Sequence, residues 1–346
     1  MMKEQLQGNL VQEIAKICKI EIPENFIHKN GYPQNKLDSV PWMDDFVIDF
    51  SLLTCSSSEA ELELAKLQLA LSQWGCFQAV NHGISSKFLD EVREVSQQFF
   101  ALPLEEKRKY SKKMNDFDGY GNDMTLPGQP TLDWTDRLYL TVYPEDQRKI
   151  EVIHGYTLKN RAIFEPLLKA MARSLNLEEN CFVKEHRDVV KMAARFNLYP
   201  QCPSPEIVLG IKPHADGTTI TTLLQDKEVN GLQVEKDDQW YRVPIVPDAL
   251  FINVGDLDAC FMFILTVQIM SNGVLKSPLH RVVTNSERQR ITVAMFFFPK
   301  PDKEVGPIPE LFTGDKPPMY NKVRHYENIF FENYQLGKRA LHAVRL

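Results

Sequence analysis

From Glu59 to Trp74 the apolar residues Leu64, Leu67 and Leu71 recur at helical spacing, and Gly75 follows as a stop. Cys76 to Val80 then reads as a short strand closed by the turn-like Asn81-His82-Gly83. Ser85 or Ser86 is placed to cap a second helix whose apolar stripe is Phe88, Leu89, Val92, Val95 and Phe99, ending before Pro103. A third helical pattern runs from about 158 to 175. From Val189 onward the period becomes two, in short runs punctuated by Pro, Gly, Asn and Asp. Strands are expected at 189–199, 218–224, 231–234, 240–243, 249–254, 279–283 and 290–298, as in an antiparallel barrel or jelly roll. Beyond Pro299 the chain is Pro-rich, and a helical pattern resumes between Tyr326 and Leu341.

The alternation sorts chemistry from packing. In 290–298, Arg290, Thr292, Ala294, Phe296 and Phe298 share one side, and Ile291, Val293, Met295 and Phe297 the other. In 189–199, Arg195, Asn197 and Tyr199 oppose Met192, Ala194, Phe196 and Leu198. Arg290 with Thr292 beside it offers a guanidinium fork and a hydroxyl, a pair suited to the carboxylate of a small acidic ligand.

Composition narrows the partners. The 346 residues are 43% hydrophobic and 25% charged, an ordinary globular profile with enough material for a sizeable core. A net charge of −6 gives no basic footprint for nucleic acid or an anionic membrane, which leaves small molecules as the expected partners. The most apolar stretch, Ala259 to Val267, is nine residues long, well under the ~20 of a spanning helix. Met1 to Lys19 carries neither a signal-peptide nor a transit-peptide pattern, and the six cysteines contain no C-x-x-C pair, so reduced thiols in the cytoplasm are expected.

Two H-x-D triplets occur, His186-Arg187-Asp188 and His214-Ala215-Asp216. The second lies among strands, and Ser277-Pro278-Leu279-His280-Arg281 follows it. Two histidines and a carboxylate on one face of an octahedron, with three positions open, is the donor set of non-haem Fe(II) oxygenases. His214, Asp216 and His280 are therefore the expected metal ligands, while His82, His154, His186, His325 and His342 are read as structural or surface residues.

Many segments carry a wider resemblance: 74–83 (Trp-Gly-Cys-Phe-Gln-Ala-Val-Asn-His-Gly), Leu132-Asp133-Trp134, 197–203 (Asn-Leu-Tyr-Pro-Gln-Cys-Pro), Asn253-Val254-Gly255-Asp256, Ser271-Asn272-Gly273 and 277–283. In these the chain resembles the plant 2-oxoglutarate-dependent dioxygenases, the family of flavonol synthase, anthocyanidin synthase, gibberellin oxidases and codeine O-demethylase. The resemblance implies an α+β chain with a mainly β core, a double-stranded β-helix with an N-terminal helical region and a C-terminal helix. It divides the chain into a helical extension (1–45), an N-terminal dioxygenase region (46–150), a bridging helix (151–188), the Fe(II)/2-oxoglutarate jelly roll (189–300) and a C-terminal helical segment (301–346). It implies Fe(II) as cofactor, 2-oxoglutarate and O2 as co-substrates, ascorbate in support, and 2-oxoglutarate held by Arg290, Thr292, Tyr199 and Asn197. Substrate-lining positions map onto Arg137, Tyr139, Arg195 and Phe296. The expected protein is a monomer that hydroxylates, O-demethylates or desaturates a small plant metabolite or hormone, releasing succinate and CO2. A 2-oxoglutarate-independent oxidase of the same fold and a catalytically impaired metabolite-binding paralogue are the alternatives.

Three departures from the family pattern stand out. Thr292 replaces the usual serine, the chain is about a dozen residues short between Lys149 and Tyr156, and it is about nine longer, mostly apolar, between Asp256 and Ile269.

Overall fold

Two serines open the helices that cover one side of the protein. In the computed structural model, Ser57 Oγ accepts the Ala60 amide at 3.2 Å to start helix Ser58–Gln73. Ser85 Oγ accepts the Phe88 amide at 3.4 Å to start helix Ser86–Ala101. The structure describes residues 10–17, 21–28, 39–113, 116, 118–122, 131–144, 151–186, 191–255, 267–298, 306–312, 316–322 and 345–346. The helical pattern expected at 326–341, residues 145–150 of the shortened connection and residues 256–266 of the apolar insertion lie outside these. From Val267 the chain is integrated into the fold: Val267, Ile269 and Met270 are buried in the core beside the strands.

The strands are β1 (Val47–Asp49), β2 (Cys76–Val80), β3 (Gly119–Gly121), β4 (Asp136–Tyr143), β5 (Lys191–Tyr199) and β6 (Leu209–His214). They continue as β7 (Ile220–Leu224), β8 (Leu232–Lys236), β9 (Gln239–Arg242), β10 (Leu250–Val254), β11 (His280–Val283) and β12 (Arg290–Phe298). One sheet runs β1-β2-β10-β7-β12-β5-β4-β3 and the other β6-β11-β8-β9. All pairs but β1–β2 are antiparallel. Met43, Trp74, Cys76, Tyr199 and Phe251 pack with Leu232, Val234 and Val282 between the two sheets, which makes the β core a jelly roll.

The large sheet has two faces with different work. Leu138, Phe196, Leu198, Ile291, Val293, Met295, Phe297, Ile252 and Phe77 point outward and pack under helices Ser58–Gln73, Ser86–Ala101 and Glu151–Ser174. Residues of the opposite parity, Arg137, Tyr139, Arg195, Asn197, Tyr199, Arg290, Thr292, Phe296 and Asn253, face the gap between the sheets, as the register and the inward packing of Tyr199 and Phe251 require.

Several elements depart from the sequence reading, and the main departures have local reasons. Helix Glu151–Ser174 begins seven residues before the expected start, because polar Thr157 and Asn160 interrupt its apolar stripe. Both are buried and bond back to their own helix, Thr157 Oγ1 to Ile153 O at 2.8 Å and Asn160 Nδ2 to Tyr156 O at 2.9 Å, and Asn160 Oδ1 also accepts Thr222 Oγ1 of β7. It ends at Ser174, and a separate short helix, Cys181–His186, follows a turn with Asn176 at φ 56°, so the bridging segment is two helices. β4 starts with two charges, yet Asp136 is buried because its carboxylate accepts the Val11 and Gln12 amides at 2.8 Å each, tying helix Val11–Ile17 to the sheet. β6 contains Gly210 and Pro213, which an edge strand accommodates because one side of it needs no ladder partner. In helix Ser86–Ala101 the buried stripe is Leu89, Val92, Ser96 and Phe100, with Phe88 and Phe99 packed at its edge.

Candidate metal and co-substrate centre

β6 ends on His214 and β11 begins on His280, and the antiparallel register sets the two opposite each other. Their ring centroids are 4.2 Å apart at 51°. Asp216 follows two residues after β6, with Oδ1 3.7 Å from His214 Nε2 and 3.6 Å from His280 Nε2. The three groups offer ligand atoms all within 4.8 Å of one another, the one such cluster among the described residues.

The protonation of this cluster follows from its neighbours. His214 Nδ1 faces Lys212 O at 2.9 Å and His280 Nδ1 faces Pro278 O at 3.2 Å. A ring nitrogen against a carbonyl must donate, so in the neutral rings both Nε2 lone pairs point at Asp216 and at the space between the three. Burial, reinforced by the adjacent His280 and by Arg195, lowers the His214 pKa to about 3. Burial works to raise the Asp216 carboxyl, but the histidines and hydrogen bonds from Asn253 and Thr221 outweigh it and hold the pKa below its ordinary value. Two imidazoles and one carboxylate fit ferrous iron, and the donor set leaves room for further ligands.

A second feature lies on the same inward face. Arg290 pairs with Tyr199 and Thr292 with Asn197 across β12 and β5. Arg290 is buried; Nε donates to Val229 O at 3.1 Å, and its Cζ sits 5.4 Å from the Tyr199 ring centroid. Its Nη2 is buried with no hydrogen-bond partner. Burial pushes the guanidinium pKa down from its ordinary value, opposed by Tyr199 and Asp226. A desolvated cation with unfilled donors is matched by a bidentate carboxylate. Gly231 gives it space: a Cβ there would stand 3.1 Å from Arg290 Cδ. Thr292 Oγ1 accepts from Asn197 Nδ2 at 3.3 Å, which leaves its own hydroxyl hydrogen to donate, and Asn197 Oδ1 accepts Arg195 Nε at 2.6 Å.

Family comparison now applies to this geometry. Residues 47–158 match the family described as non-haem dioxygenase in morphine synthesis N-terminal, and residues 180–299 match the 2OG-Fe(II) oxygenase superfamily. Codeine O-demethylase of Papaver somniferum is 34% identical over 97% of this chain and 95% of its own. The chain belongs to the plant 2-oxoglutarate/Fe(II)-dependent dioxygenases. This dioxygenase is likewise 32% identical to oxoglutarate-dependent flavonoid 7-O-demethylase 1 of Ocimum basilicum, over 97% of this chain and 90% of the relative. Its fold matches the crystal structure of JOX2 in complex with 2OG, Fe and JA at a TM-score of 0.82, 29% identity and 98% coverage of both chains. As a member of the family it is an oxidoreductase that uses Fe(II), 2-oxoglutarate and O2.

The four residues expected to line a substrate pocket also come together in this dioxygenase. Tyr139 lies opposite Arg195, and Arg137 opposite Asn197, across β4 and β5. Tyr139 and Phe296 stack at 6.2 Å and 22°, and Arg137 Cζ is 5.5 Å from the Tyr139 centroid. Arg137 Nη1 donates to Gly119 O at 3.2 Å. His82 has a structural setting, with Nε2 3.0 Å from Asp248 O and Nδ1 accepting the Ile84 amide.

Sequence reasoning left Asn253 and Gly255 without a role, although both stand in a quoted segment. Gly255 lies where a Cβ would be 1.8 Å from Thr218 O and 2.8 Å from Asp216 O, both backbone atoms that cannot rotate away. Gly255→Ala must displace the turn that carries Asp216. We expect a stability loss of about 3 kcal/mol, the upper range for overpacking, with iron per chain falling alongside. Melting temperature and iron analysis of the purified variant check both.

Proposed function

We propose that His214, Asp216 and His280 hold the ferrous iron, that Arg290, Thr292, Tyr199 and Asn197 hold 2-oxoglutarate, and that Arg137, Tyr139, Arg195 and Phe296 line the substrate pocket. The observation that carries the co-substrate half is the buried, unpartnered Nη2 of Arg290. Iron, when bound, supplies the chemistry that couples oxidative decarboxylation of 2-oxoglutarate to oxidation of a substrate C–H bond. The protein's own share is geometric and electrostatic. The Lys212 and Pro278 carbonyls fix the imidazole tautomers, Arg290 orients the distal carboxylate, and Thr292 adds a hydroxyl donor beside it. The apolar walls of Tyr199, Phe251, Val234 and Val282 keep that space dry.

The substrate of this reading is a small plant metabolite or hormone. Codeine O-demethylase and the flavonoid 7-O-demethylase act on methyl ethers by name, and JOX2 was crystallised with JA. The stacked Tyr139 and Phe296 offer a flat apolar wall, and Arg195 is near enough to the metal centre to act on His214. Hydroxylation, O-demethylation and desaturation all begin with loss of a hydrogen atom from a substrate C–H bond: hydroxylation gives an alcohol, a hydroxylated methyl ether collapses to formaldehyde and a phenol, and desaturation removes a second hydrogen from the adjacent carbon. Among the described residues no helix is long and apolar enough to cross a membrane, and the reading is of a cytoplasmic monomer. The family matches at 47–158 and 180–299 support a division into an N-terminal dioxygenase region at 46–150, a bridging segment at 151–188 and a jelly roll at 189–300, flanked by 1–45 and 301–346.

The test is incubation of purified protein with Fe(II), ascorbate, 2-oxoglutarate and a plant metabolite extract, followed by mass spectrometry. The expected result is loss of a defined compound, a new oxidised or demethylated product, and succinate in proportion. Substrate loss without succinate contradicts the assignment.

A further inference from the structure

Asp216 has two carboxylate oxygens, and the site treats them differently. Oδ1 faces both histidine Nε2 atoms, at 3.7 and 3.6 Å. Oδ2 accepts from Asn253 Nδ2 at 2.9 Å, in a pair that is buried throughout. Thr221 lies directly opposite Asn253 across β7 and β10, and its Oγ1 is 2.9 Å from Thr218 Oγ1 in the turn that carries Asp216. Two residues beyond Asn253, Gly255 lets the end of β10 lie against the backbone of the same turn. The Asn253-x-Gly255 spacing therefore meets Asp216 twice, once through a side chain and once through a close backbone approach.

A carboxylate beside a divalent cation is free to turn and offer both oxygens, which would take a second coordination position. A donor fixed on one oxygen removes that option. We infer that Asn253 is a positioning residue: it occupies Oδ2 of Asp216 so that the carboxylate gives the iron one oxygen and three positions stay open for co-substrate and O2. The inference rests on the assignment of His214, Asp216 and His280 as the iron ligands.

Three variants and one control separate this role from simple packing. Asn253→Ala removes the donor and some volume, whereas Asn253→Asp keeps the volume and replaces the donor by an acceptor. Thr222→Val cuts the 2.5 Å hydrogen bond to Asn160 on the helix-covered face of the neighbouring strand β7, away from the metal cluster. Fe(II) dissociation constants are measured by chelator competition, together with the visible absorption that develops when 2-oxoglutarate is added anaerobically to the Fe(II) protein. Asn253→Ala is expected to weaken Fe(II) binding ~10–100-fold, in the range of lost outer-shell partners, and Asn253→Asp at least as much, each with a shifted absorption. Thr222→Val is expected to melt at lower temperature with iron affinity and absorption unchanged. Asn253→Asp behaving as wild type, or Thr222→Val losing iron to the same degree, overturns the inference, and Asn253→Asp decides alone if the alanine variant does not fold. The control is Asp216→Ala: iron retained there refutes the ligand assignment itself, whereas iron lost there but kept in both Asn253 variants refutes only the positioning role.

Discussion

His214→Ala or His280→Ala leaves the protein without retained iron and without succinate formation. Each change deletes one of three converging donors, and the remaining pair no longer defines a face of an octahedron. The two histidines are also packed against each other, with ring centroids 4.2 Å apart, so the loss of one ring removes a wall as well as a ligand. The fold should survive, since each Nδ1 bonds only a carbonyl two residues back in its own segment. His186→Ala is the matched control, because the other H-x-D triplet starts at the end of the short helix Cys181–His186 rather than beside β11. Iron analysis and succinate measurement on the purified variants check this. Iron lost from His186→Ala but kept in His214→Ala would reverse the assignment.

Arg290→Lys raises the 2-oxoglutarate concentration needed for half-maximal turnover by ~10–100-fold, the equivalent of about 1.5–3 kcal/mol for a hydrogen bond to a charged group. An ammonium keeps the charge but cannot give two parallel donors to one carboxylate, and it also gives up the Nε bond to Val229 O. Thr292→Ser should change the same requirement little, because the hydroxyl that accepts from Asn197 is kept and only a methyl group is lost. Titration of 2-oxoglutarate against succinate production in the two variants reads both outcomes. An unchanged requirement in Arg290→Lys would leave the buried Nη2 without a purpose.

The strands that carry the site were legible because their alternation is clean. The expected 290–298 coincides with β12, and the split into Arg290, Thr292 and Phe296 against Ile291, Val293 and Met295 is the split between the inward face and the helix-covered face. Elsewhere tertiary partners hid the pattern. β4 looked polar because Asp136 and Arg137 are satisfied by Val11, Gln12 and Gly119, residues distant in sequence or across the sheet. β6 was absent from the expected strands because its Gly210 and Pro213 break a strand pattern, although a sheet edge permits both. The H-x-D…H spacing singled out His214, Asp216 and His280, which the fold brings together, but nothing in the residue order says that Asn253 reaches Asp216 across 37 positions. Its signal was parity: Asn253 shares a strand face with Phe251, and that face looks inward.

Release of CO2 from carboxyl-labelled 2-oxoglutarate by the Fe(II)-loaded protein, with and without plant metabolite extract, tests the account most directly. The account predicts release that rises with the extract, matches succinate mole for mole, and disappears in Asp216→Ala and Arg290→Ala. Oxidation of a compound in the extract with no CO2 released, or release that persists in Asp216→Ala, would contradict it.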